Sequence, residues 1–306
     1  MFMTVVNSLI VLAICMLAGY IGRKTHILTD ELNSGLSTIL VKLALPALIF
    51  SSMIRPFSRT LLLESLATLI LSAVVYLSGY FIGMGLARLM KAGEDEKRVW
   101  QFSLIFANVG YMGFPVMQAV FGYEALIYTS MANVSFNVLA FSIGVYLFKR
   151  DISSIRASIK PLLLNPALVA IYIGFVFFVT GFRLPAAVHE GIQTVGDLTV
   201  PLAMMLVGAI LAKSKLFSLV SDPRVLPIIF LRLLGIPIAT LFILRPFIHN
   251  HLMLSVIVML AAMPVAALTV IFAEQYKGDT ALASKLVALS SFLCMLTIPL
   301  ISLLLN

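Results

Sequence analysis

Long apolar runs alternate with short polar breaks along the whole chain, and the runs have membrane-crossing length. Ten of them, at 3–22, 32–54, 61–90, 99–121, 124–148, 165–182, 187–212, 223–243, 251–274 and 280–304, predict ten transmembrane helices. None shows the strict polar–apolar alternation of a barrel strand. The first run has no basic residue before it, while Arg23 and Lys24 follow it, so a retained helix is expected rather than a signal peptide.

Composition narrows the class further. Of the 306 residues, 61% are apolar and only 11% charged, and the mean hydropathy is +1.09. A soluble domain is nearer half apolar and a quarter charged, so a cytosolic enzyme, a nucleic-acid binder and a disordered chain are excluded. The net charge of +8 belongs to the connections. One alternate set of connections holds fourteen Lys and Arg, the other four, and Lys42, Arg232 and Lys285 fall inside runs. Basic loops stay in the cytoplasm, which predicts a multi-pass protein of the cytoplasmic membrane with both termini outside. Cys15 and Cys294 lie within apolar runs and the four histidines have no ligand spacing, so no disulfide, metal or cofactor is expected.

Prolines reveal a repeat. Leu45-Pro46-Ala47-Leu48 in span two matches Val200-Pro201-Leu202-Ala203 in span seven, and Gly113-Phe114-Pro115-Val116 in span four matches Ala262-Met263-Pro264-Val265 in span nine. The prolines are 69 residues apart in the first half and 63 in the second. Residues 1–149 and 165–306 therefore read as two copies of a five-helix unit joined by 150–164. Five is odd, so the copies enter the membrane from opposite sides, the inverted repeat of many secondary transporters.

The chemistry is expected where spans four and nine break. Span four carries Asn108, Gly110, Gly113 and Pro115 within eight residues, which no regular helix accommodates. Span nine places Met263 and Pro264 among alanines, so another backbone can come close. Two broken helices crossing at mid-membrane aim half-helix N-termini at one spot, which suits an anion. Asn133 and Asn137, four apart on one face of span five, are further candidates for the lining, or for interhelical hydrogen bonds.

These residues resemble the auxin efflux carrier family along nearly the whole chain. The Asn-x-Gly-x-x-Gly-x-Pro core from Asn108 to Pro115, with Ala119-Val120-Phe121-Gly122, resembles that family's fourth helix. Ala261 to Pro264 and Phe272 to Tyr276 resemble its ninth; Leu45 to Phe50 its second; Asn165-Pro166, Leu184-Pro185, Pro201-Leu202 and Gly208 its sixth and seventh. The chain is most similar to bacterial members, malate permeases and malonate carriers. It lacks the long hydrophilic insert of plant members, having only Lys149 to Leu164 there. The resemblance implies a fold similar to sodium/proton antiporters and bile-acid carriers. It also implies a scaffold of helices 1, 2, 6 and 7, an elevator-like transport domain of helices 3–5 and 8–10, a homodimer, and an organic-anion substrate at Asn108, Pro115 and Pro264.

Charges inside spans are functional hypotheses by default. Lys42 and Asp197 each precede the repeat proline of their span (Pro46, Pro201) by four residues, with opposite signs. They are expected to approach one another or to flank the substrate path as coupling or gating groups; for Lys42 snorkelling is the alternative. Arg232 needs a carboxylate, carbonyl or anion partner, Lys285 is expected to reach the interface, and Glu64 and Glu274 to be solvated. A channel and an intramembrane enzyme are the alternative classes. Val109-Gly110-Tyr111 lacks the next glycine of a potassium filter, and Gly196-Asp197 lacks a second aspartate.

Overall fold

The computed structural model describes residues 2–149, 160–213, 222 and 224–305. Most of the expected connection 150–164, and Lys215 among the basic loop residues, lie outside the described residues. Among those described, helices are the regular elements, together with a single isolated antiparallel bridge between Ala107 and Val265.

The helices are α1 (Phe2–Lys24), α2 (Asp30–Met53), α3 (Arg59–Leu89), α4 (Glu94–Ile105), α5 (Val109–Phe121) and α6 (Tyr123–Lys149). They continue with α7 (Pro166–Thr180), α8 (Ala186–Lys213), α9 (Val225–Leu244), α10 (His251–Ala261), α11 (Leu268–Gln275) and α12 (Thr280–Leu304). Seven of them (α1, α2, α3, α6, α8, α9 and α12) are long and apolar enough to cross a membrane in one piece; α5, α7 and α10 are shorter apolar helices. Each expected run holds helix, and two of them, 99–121 and 251–274, hold a pair separated by extended backbone.

Local sequence explains the starts. Thr29, Ser58, Asn165, Asn250 and Asp279 each accept a backbone N–H of the first turn of α2, α3, α7, α10 and α12. Interior prolines do not all break their helices. Just before Pro46, Pro115 and Pro237 the backbone widens into a π-turn, at Leu40–Ala44, Val109–Gly113 and Leu231–Gly235. The extra residue accommodates a ring that would clash with the preceding turn, and the helix continues.

Inside a bilayer, helices gain little from hiding apolar surface and associate through close packing instead. The clearest case is α1 against the second half of α8. A Cβ on Gly19 would sit 2.0 Å from the Met205 carbonyl oxygen, and one on Gly208 1.9 Å from that of Met16, so the two backbones touch. The second half of α2 packs on α7 and on the start of α8, while α3 packs on α4 and α6, α9 on α10, and α11 on α12. α1 and α8 also pack on α5 and α12. On the side bearing Arg23 and Lys213, Asp30 accepts from both, joining the ends of α1, α2 and α8.

Between α8 and α9, buried Asp222 accepts Arg224 Nε and Nη2, each at 2.8 Å, and Lys285 Nζ at 3.0 Å, while Arg224 also pairs with Glu96. The Arg224 hydrogen bonds, helped by Lys285 and opposed by burial, hold the Asp222 carboxyl well below the usual carboxylate range. Lys285 is thus tied to Asp222 rather than free at the interface. Glu64, expected to be solvated, accepts the Tyr128 hydroxyl at 2.6 Å.

Candidate functional site

The two interrupted helices meet at their breaks. After α4 the chain extends through Phe106 and Ala107, and Asn108 N–H donates to the Pro264 carbonyl at 2.8 Å. Ala266 N–H returns a bond to the Phe106 carbonyl at 3.0 Å, and Ser290 of α12 takes Val265 N–H at 3.0 Å. α10 ends at Ala261, three residues before Pro264, which has no N–H to donate, and the two extended segments satisfy each other's backbone.

Asn108 then starts α5. Its side-chain oxygen accepts Tyr111 N–H at 3.2 Å, and its carbonyl accepts Gly113 N–H at 2.9 Å in the wide π pattern. The side chain is 7% exposed, and what it exposes faces open space.

That space is a cavity of about 260 Å³. Two half-helix N-termini border it, α5 through Asn108, Gly110 and Tyr111, and α11 through Ala266, Ala267 and Leu268. Asn133 and Asn137 line it from α6, with Asn165 at the start of α7. Asn137 Nδ2 donates to the Asn133 carbonyl at 2.8 Å and to Asn133 Oδ1 at 3.1 Å, bonds made within α6 rather than between helices. The remaining wall is apolar, including Leu40, Val41, Phe136 and Phe141, and among the described residues no charged side chain lines it. A Cβ at Gly110 would meet nothing within 4 Å, so that backbone stays open to the cavity.

A second cavity, about 300 Å³, lies on the other side of Tyr111 and shares Asn108, Tyr111 and Ala267 with the first. It runs between α2 and α8 toward Asp30 and Lys213 and carries Asn33, Ser34 and Ser37. The Tyr111 hydroxyl and Ser37 Oγ are hydrogen bonded at 2.9 Å between the two spaces.

Behind the crossing sits Arg232 of α9, 1% exposed. It donates from Nη1 to the Leu104 carbonyl at 2.9 Å, from Nη2 to Ala261 at 3.0 Å and from Nε to Met263 at 3.2 Å. Of the partner types expected for it, carbonyls are the ones present, and they close the C-terminal ends of α4 and α10.

The sequence candidates thus divide. Asn108, Gly110, Asn133 and Asn137 line the cavity, whereas Gly113, Pro115, Met263 and Pro264 are buried in the crossing behind it. A Cβ on Gly113 would press to 2.9 Å from Leu260 of α10, which fits that packing role. Pro46 and Pro201 do not line the cavity, although the π-turn before Pro46 brings Leu40 and Val41 to its wall.

Asp197 and Lys42 form no ion pair. Asp197, where α8 is interrupted at Leu198, accepts Gln118 Nε2 at 3.0 Å and the Tyr123 hydroxyl, while Arg55 donates to the Tyr123 carbonyl at 3.1 Å. Lys42 is exposed on the π-turn of α2. Tyr111, Ser37, Asn165 and Ala267 were not singled out in the sequence. Tyr111 stands inside the span-four motif, and its partner lies 74 residues away, beyond any local pattern.

The comparisons with known proteins follow the same lines. A family model described as membrane transport protein matches residues 4–302. An uncharacterized transporter of Methanothermobacter thermautotrophicus is 27% identical over 98% of this chain and 98% of its own. The uncharacterized transporter MJ1031 of Methanocaldococcus jannaschii is 27% identical, covering 94% of this chain and 93% of its own. The uncharacterized transporter YfdV of Escherichia coli K12 is 22% identical over 96% of each.

Proposed function

This chain belongs to the membrane transport protein family, the auxin efflux carriers of the resemblance, and is a membrane transporter; we propose that it carries small organic anions across the cytoplasmic membrane by alternating access. The observation that carries the reading is the cavity at the crossing, where the N-termini of α5 and α11 and four asparagines, Asn108, Asn133, Asn137 and Asn165, border a space that, among the described residues, no charged side chain lines. The partial positive charge of two helix ends favours an anion there. Malate- or malonate-like carboxylates and auxin-like acids are the substrate class.

Within that class the wall favours one charge on an apolar body. Phe136, Phe141, Leu40 and Val41 solvate an aliphatic or aromatic group, whereas a second carboxylate would lose its water with no cation to meet it.

In this reading the chain forms ten spans, as two inverted five-helix units whose fourth and ninth spans are the broken pairs α4–α5 and α10–α11. The mutual packing of α1, α2, α7 and α8 supports their role as scaffold. The remaining helices form the elevator, scaffolds pair in a homodimer, and both termini face outward. Asp197, with Gln118 and Tyr123, ties the elevator to the scaffold at the outer side, and the second cavity is the cytoplasmic approach.

The test is electrical. Purified protein in liposomes on a solid-supported membrane meets malate, malonate, pyruvate, lactate and indole-3-acetate, with Asn108→Ala as control and with and without pH and sodium gradients. A saturable current for one class, with its half-saturating concentration raised in the variant, supports the reading. Silence there and in radiolabel counterflow overturns it.

A further inference from the structure

A buried arginine in a membrane protein usually finds a carboxylate, because an unpaired charge in low dielectric is costly. Arg232 does not. All three of its hydrogen bonds end on main-chain carbonyls, at Leu104, Ala261 and Met263. These belong to the last turn of α4, the last turn of α10 and the second residue beyond it, where helices leave acceptors without partners.

Each helix C-terminus carries roughly half a negative charge, so the two ends together match about one guanidinium. Cation-coupled carriers with broken helices use such carbonyls for the coupling ion. Here a side chain occupies them. Arg232 lines neither cavity, and the opposite ends of the crossing, at α5 and α11, are the ones open to the substrate space.

We propose that Arg232 is a positioning residue, a built-in countercation that closes the carbonyl ends of both broken helices and leaves their amide ends to the transported anion. This rests on the anion-carrier reading above. The site is then complete with protein and anion alone, and transport needs no metal cation. A hard cation wants several oxygen ligands, and these three carbonyls are already committed to nitrogen donors.

The test uses Arg232→Ala, Arg232→Gln and Arg232→Lys in liposomes, with lactate and indole-3-acetate as probes, beside thermal unfolding of the purified proteins in detergent. Wild-type current should be unchanged when choline replaces sodium. Arg232→Gln should raise the half-saturating concentration about tenfold, the scale of one lost charged hydrogen bond, with a smaller change in maximal rate. Arg232→Lys should recover most of that loss. Arg232→Ala should melt early and be raised by about 10 mM guanidinium chloride but not by sodium chloride, because only a planar cation refills the space. Wild-type protein should show no such rise.

A wild-type requirement for sodium overturns the proposal. So does a folded Arg232→Gln with wild-type half-saturation, or guanidinium that stabilises wild type and Arg232→Ala alike. If Arg232→Ala yields no folded protein, the Lys and Gln variants decide by the same half-saturation values. Wild type silent toward every anion instead sinks the carrier reading, and the guanidinium arm still judges Arg232, since it needs no substrate.

Discussion

Where α4 gives way to α5, the chain reads Phe106-Ala107-Asn108, then crosses a π-turn containing Gly110, Tyr111 and Gly113 before Pro115. Where α10 gives way to α11, it reads Ala262-Met263-Pro264-Val265-Ala266-Ala267 and offers no polar side chain. Both breaks expose a half-helix N-terminus to the same cavity, and each satisfies the other's backbone through Asn108–Pro264 and Ala266–Phe106. The topology is duplicated while the chemistry is not. The first break carries the amide, the phenol and the open glycine that can discriminate a substrate; the second contributes backbone amides and small size. A crossing needs both breaks for its shape but only one for its selectivity.

That asymmetry is open to attack by substitution. Asn108→Ala removes the cap of α5, worth about 1 kcal/mol, together with a cavity amide, and should raise the half-saturating concentration by about 10–100-fold in current measurements. Ala267→Leu on the other break fills the point where both cavities meet, and should cut maximal current about tenfold by occupying space. Tyr111→Phe loses only the bond to Ser37, and should shift half-saturation about fivefold, the scale of about 1 kcal/mol. Ala266→Ser adds a hydroxyl to the apolar break and should stay within about twofold; a larger gain would mean that the second break also reads substrate.

A control lies away from both breaks, in the Asp222 cluster that links Glu96 at the start of α4 to Lys285 at the start of α12. The Asp222 carboxyl is held below its ordinary value by Arg224 first, so its contribution is complete above about pH 4, the unfolded value, and fades as pH falls toward the folded one. Asp222→Asn should therefore melt several degrees lower at pH 7, with the gap closing below about pH 4, and leave half-saturation unchanged.

Much of this was legible in the sequence, for identifiable reasons. Helix runs follow from apolar length, and the breaks follow from proline and glycine chemistry that acts within one turn. Asn133 and Asn137 share a face because four residues make about one turn. What was not legible depends on distant pairing. Ser37 with Tyr111, and Arg232 with carbonyls of α4 and α10, join segments that no periodicity relates. That Lys42 and Asp197 form no ion pair has the same cause: matching places beside two prolines need not be neighbours. Nor does a proline motif distinguish a break from a π-turn. α10 stops three residues before Pro264, whereas Pro46 and Pro237 only widen their helices, and neighbouring helices decide which.

Arg232 is bonded to both broken helices, so in an elevator it would travel with them and take a full positive charge through the membrane field. A potential of 100 mV acts on such a charge with about 2.3 kcal/mol for a complete crossing, less for a partial one. On the anion-carrier reading, a bound monoanion would offset the Arg232 charge during that stroke, whereas the empty stroke would carry it uncompensated. The two strokes would then respond differently to voltage, so the turnover of such a carrier would depend on the membrane potential even without a coupling ion.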